Sequence, residues 1–165
     1  MTQIELIDKA VLSDQAAASF CRTLFNVSQV LDDLIDKDKP LSDDEIFKAF
    51  WDCLIEVPKN PFYIRNAPTL IPMMQVFLVD YRDSVILERA DNLNAQQNDH
   101  GKHIAFVLRD SVGSIITHCA YLVGGYEHME KISALVRTTI YNESLEQYME
   151  ALCQETQAQI LKIPR

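Results

Sequence analysis

The chain is predicted to be all-α, a single-domain bundle of five to seven helices. Three observations lead there. Apolar residues recur at helical spacing in several long segments. Only 4 glycines occur in 165 residues, so tight β-turns are poorly supplied. No period-two alternation competes anywhere. At this length one domain can bury a real core.

The elements follow in order. Residues 3–12 read as a short helix or a loose arm. Residues 15–36 carry Phe20, Leu24, Val27, Leu31 and Leu34 on one stripe, and Lys39-Pro40 stops them. Ser42-Asp43-Asp44-Glu45 has the form of a capping box, in which Ser42 caps the backbone and Glu45 reaches back. The helix it starts carries Ile46, Phe47, Phe50, Trp51 and Leu54 and ends near Pro58. Asn60-Pro61 to Pro72 reads as a proline-punctuated connection pinned to the core by Phe62 and Tyr63. A long helix is expected from about Thr69 to Asn92. Residues 92–102 read as a polar loop or a frayed extension. A strongly apolar helix is expected over 103–123, stopped by Gly124-Gly125. Helices at 127–141 and 144–160 complete the set.

Charge narrows the functions. Asp and Glu total 24 against 15 Lys and Arg, a formal charge of −9. That balance argues against non-specific binding to nucleic acid or anionic membranes. It fits cation binding, a basic partner or solubility. Cys21, Cys53, Cys119 and Cys153 show no CxxC pair and no zinc spacing. They read as reduced, mostly buried thiols of a cytoplasmic protein. No secretory leader is apparent. No run approaches the roughly 18 apolar residues of a membrane span.

The acids form two groups. Asp32, Asp33, Asp36 and Asp38 close an apolar run. The first three share one helix face, at the helix end that disfavours anions. Either they are solvated, with Lys37 and Lys39 nearby, or they bind a hard cation such as Mg²⁺. Asp80, Ser84 and Glu88 lie four apart, near the apolar stripe of Met73, Phe77 and Tyr81. An acid on a core-facing stripe requires a partner, either a salt bridge such as one to Arg109 or a metal, unless the stripe drifts outward at the helix end. His100, Lys102, His103 and Arg109 read either as solvent-exposed loop residues or as a basic lid over an anionic ligand, Arg109 with its forked donor geometry. His118 reads as a core histidine satisfied by a backbone carbonyl.

The DDLID run at 32–36 resembles the aspartate-rich motif of class I terpenoid synthases. Asp80, Ser84 and Glu88 resemble their second metal motif, with Tyr81 and Arg82 standing where that family carries an Asp and an aliphatic residue. The resemblance implies a Mg²⁺ site formed by Asp32, Asp33, Asp36, Asp80, Ser84 and Glu88, holding a diphosphate. Glu88 to Asp91 and Asp33 to Asp36 also echo the paired acidic helices of all-α nucleotide pyrophosphohydrolases. The stretch DDLIDKDKP…AFW…NPFY is similar to small helical proteins encoded by bacteriophages, which implies no particular activity.

Two functions are therefore expected. One is a Mg²⁺-type carboxylate site that binds or acts on a phosphate-containing small molecule. The other is a non-catalytic acidic interaction protein. It would bind a basic partner, or self-associate through its Met- and aromatic-rich helices.

Overall fold

A computed structural model of the protein describes residues 1–37, 39–141 and 143–161, with side chains up to residue 154. Asp38 lies outside the described residues. The fold is all-α, and among the described residues there is no strand. No described helix is long and apolar enough to cross a membrane.

Contacts gather the chain into two compact units. The first comprises Met1–Gln75 and Val112–Ile140. Its frame is α1 (Gln3–Ala10), α2 (Gln15–Asp36) and α7 (Val112–Thr139), with α1 and α2 both packed on α7. Residues 3–10 form a true helix because Thr2 and Glu5 make a reciprocal capping box. α2 covers the expected span and is capped by Asp14. Its buried face combines Phe20 and Leu24 with small residues, Ala17, Ala18 and Cys21, that let α7 approach. On α7, Ile115, Ile116, Cys119 and Ala120 are fully buried. Two side chains close the ends of this core. Gln3 donates from Nε2 to the Ile140 carbonyl at 2.7 Å. His128 donates from Nε2 to the Ala10 carbonyl at 2.8 Å, satisfying an end of α1 that has no helical partner. Arg22 of α2 is ion-paired with Asp8 of α1.

The backbone breaks at Gly124-Gly125, where the sequence predicts a helix end. Gly125 has φ +74° and ψ −173°, a conformation that glycine tolerates and other residues rarely do. α7 is therefore two helical segments that meet at a kink, the first ending at the glycine pair as the sequence predicts. The apolar helix expected over 103–123 is interrupted elsewhere, at Asp110-Ser111, between α6 (Ala95–Arg109) and α7. α6 starts early because Asn94 and Gln97 form another capping box. The polar segment is therefore helical from residue 95, which the frayed-extension alternative anticipates.

α5 (Pro61–Glu88) departs most from expectation. It begins eight residues before Thr69 and runs through Pro68 and Pro72. Each proline removes one backbone donor and crowds the preceding turn. Side chains strengthen the region: Asn60 Oδ1 accepts from the amides of Phe62 and Tyr63 at 2.9 and 3.1 Å. Asn66 donates to the Phe62 carbonyl at 2.9 Å. Phe62 and Tyr63 do pin the segment, with ring centroids 6.1 and 5.8 Å from Phe20.

The second unit comprises Val76–Ser111 and Tyr141–Arg165. It contains the end of α5, α6 and α8 (Leu145–Leu161). α8 starts where expected, with Ser144 and Gln147 capping each other. Ala105, Tyr148 and Leu152 form its buried centre, with Leu87, Phe106 and Met149 packed around them.

Candidate functional site

The acidic end of α2 is half-buried at Asp32, Asp33 and Asp36. The last turn closes at Lys37, whose amide donates to the Asp33 carbonyl at 3.0 Å and whose own backbone is left-handed (φ 58°). Lys39 Nζ lies 3.5 Å from the Asp33 carboxylate. Lysine compensation, raised from the sequence as the alternative to a metal, is thus present at Asp33.

The second acidic line is occupied by protein partners. Ser84 is fully buried, and its hydroxyl donates to the Tyr81 carbonyl at 2.6 Å. The Glu88 carboxylate is only 4% exposed; Arg109 pairs with it at 2.9 Å and Tyr148 donates to it at 2.6 Å. The Arg109 guanidinium also lies 5.8 Å from the Tyr148 ring centroid. Burial, then the hydrogen bond to Glu88, pushes the Tyr148 phenol far up, so it stays protonated and donating. Asp80 is half-buried. Burial and then nearby Asp83 raise its carboxyl above the ordinary range. Among the described residues, no three His, Cys, Asp or Glu side chains gather to hold a metal ion.

The proposed anion-covering residues divide. Arg109 belongs to the Glu88 pair. His103 is exposed on α6, 4.0 Å from Asp99 one turn earlier. Lys102 is half-buried on the same helix. His118 contradicts expectation. Its Nε2 is buried with no hydrogen-bond partner among the described residues, and its ring stacks on Tyr121 at 6.2 Å. Burial pushes the imidazole below its ordinary value. The thiols split evenly: Cys21 and Cys119 are buried, Cys53 and Cys153 exposed.

An exposed apolar surface with aromatic residues lies on α3 (Asp43–Trp51). The expected Ser42/Glu45 capping box is present, yet none of the nine residues of α3 is buried. Phe47, Phe50, Trp51 and the following Leu54 are 75, 60, 54 and 68% exposed. Their spacing aligns them on one face. Scattered exposed apolar residues are ordinary, whereas four aligned on one helix face form a contiguous exposed apolar row.

Two features adjoin this row. Asp52, next along the chain, is buried, and Lys48 grips both of its carboxylate oxygens from one turn before. The helix then widens into a π turn over Asp52–Glu56, with the Val57 amide donating to the Asp52 carbonyl. Pro58 has no N–H to contribute, so this change of register forfeits no donor there. A single α-helical turn, α4 (Val57–Lys59), follows. Across the π turn, Trp51 Nε1 donates to Glu56 Oε1 at 2.7 Å. Glu56 also lines an open pocket of about 230 Å³ with Phe20, Thr23, Val57 and Lys59.

Acids flank both ends of the row. Asp43 and Asp44, both exposed, stand one turn before Phe47, and Glu56 stands beside Trp51. The buried Asp52 and its lysine carry no signal in the sequence beyond their four-residue spacing. No family model, curated protein or solved structure matches this chain.

Proposed function

We propose that this chain is a non-catalytic interaction protein that binds a basic protein partner through the aromatic row of α3. The row itself carries the proposal: Phe47, Phe50, Trp51 and Leu54 are aligned, uncovered and flanked by carboxylates. Aromatic side chains in such a setting are the usual anchors of protein interfaces. Their acidic flanks favour a cationic partner, and the overall charge of −9 would speed its approach. Self-association through this face would set like charges against each other. An anionic bilayer would be repelled.

The Mg²⁺ and phosphate reading has less support. Glu88 is engaged by Arg109 and Tyr148, and Asp33 by Lys39. Melting the protein with and without millimolar Mg²⁺ separates the two proposals. A bound metal must raise the midpoint; no rise is expected.

Trp51 is the sole tryptophan, so its emission reports on this face alone. Titration with cationic amphiphilic peptides of leucine and lysine should shift that emission to the blue. Leucine–glutamate peptides of equal length should not. Raising salt from 50 to 300 mM should weaken binding. The proposal fails if cationic and anionic peptides act alike, or if neither changes the emission.

A further inference from the structure

The aromatic row also specifies what shape of segment it receives. We infer that the partner segment is an amphipathic α-helix with lysine or arginine beside its apolar stripe. This inference rests on the interaction reading above.

The first argument concerns the backbone. α3 is a helix with its amides and carbonyls committed internally, and its N-terminus is closed by the Ser42/Glu45 box. It presents no sheet edge, so an added strand would find no ladder of donors and acceptors. Recognition must run through side chains.

The second argument concerns shape. Phe47 and Leu54 are seven residues apart, so the row rises by about 10 Å, roughly two helical turns. It is convex and ridged. Ridges of this kind are matched by the grooves between side chains on another helix. A helix brings apolar residues at i, i+3, i+4 and i+7 to one face. A strand offers only alternate residues along a flatter surface.

The third argument is charge. Asp43 and Asp44 extend the same face by one turn, and Glu56 borders Trp51. The nearby cation Lys48 is held by Asp52. The row therefore has acidic neighbours at each end, which suit cationic residues flanking a partner helix's apolar stripe. The same acids oppose a second copy of α3, whose flanks carry the same sign.

The test uses the full chain and two synthetic peptides of identical length and leucine–lysine composition. In one, leucines follow the helical period. In the other they alternate with lysine. Both are titrated while Trp51 emission and far-ultraviolet circular dichroism are followed. The expected result is at least tenfold tighter binding of the helical-period peptide, accompanied by a gain in helical signal. The double variant F47S/F50S retains Trp51 as the reporter and should lose at least tenfold in affinity. Its melting midpoint should stay at the wild-type value, because neither side chain is buried. Equal binding of both peptides overturns the helical partner while leaving the interaction reading intact. Binding of neither overturns both. A Trp51 shift on concentrating the protein alone, with dimers in sedimentation, overturns the basic partner in favour of a second copy.

Discussion

α2 and α3 carry similar sequence patterns and meet opposite fates. Each begins with a side-chain cap, and each aligns aromatic and aliphatic residues at helical period. α2 turns Phe20 and Leu24 into the first unit's core. α3 turns Phe47, Phe50 and Trp51 outward. Periodicity establishes that a helix has an apolar face; it does not say whether the chain itself covers that face. The neighbourhood of each helix decides. α2 has small residues, Ala17, Ala18 and Cys21, that admit α7 closely. α3 buries none of its residues, and its Lys48 is itself largely exposed where it pairs with Asp52 just beyond the helix.

Substitution gives the largest test of this contrast. Phe20→Ala, beneath Phe62 and Tyr63, should cost about 3–5 kcal/mol in urea unfolding, as for other buried phenylalanines. Phe50→Ala should change stability by no more than about 0.5 kcal/mol, as expected for a surface position, while weakening capture of a basic helical peptide. Equal losses from the two would mean that α3 is part of the core and would remove its role as a docking face.

The next largest effect probes buried charge. Arg109→Met should destabilise by about 3 kcal/mol, because Glu88 would be left buried without its cation. Unfolding with and without Mg²⁺ then discriminates further. If Mg²⁺ restores the variant but not the wild type, Glu88 can serve as a metal ligand once its arginine is gone.

Capping gives a smaller effect. Ser42→Ala should cost about 1 kcal/mol if α3 unfolds with the rest of the chain. A substantially smaller loss would indicate that α3 is held chiefly by the Lys48–Asp52 pair and its packing on α2.

The smallest expected effect is one of pH. Burial lowers the His118 pKa from 6.5. The unfolded chain therefore takes up this proton first as pH falls. Stability from this source is full above about pH 6.5, declines below it, and levels off beneath the depressed folded value. Urea midpoints at pH 8, 6 and 5 should fall less in His118→Gln than in the wild type. An identical decline would assign the acid sensitivity to other groups.

Much of the helical framework was legible because its signals are local. The Ser42/Glu45 box, the span of α2, the break at Gly124-Gly125 and the start of α8 all follow from residues within a few positions of one another. The Arg109–Glu88 pair was also accessible, since an acid near an apolar stripe demands compensation. The start of α5 was not legible. Its prolines oppose a helix locally, while Asn60, Asn66 and the Phe62–Phe20 packing favour one. The surroundings of His118 are equally hidden from the sequence: an apolar neighbourhood indicates burial but does not supply a carbonyl.

Residue order alone therefore determined the all-α class, most helix limits and the strongly acidic character, through short-range hydrogen bonding, side-chain period and net charge. Tertiary structure decided which apolar faces are covered and which acids are paired. Those outcomes depend on surfaces brought together from distant parts of the chain. That is how Glu88 comes to face Arg109 and Tyr148 while the aromatic row of α3 remains uncovered.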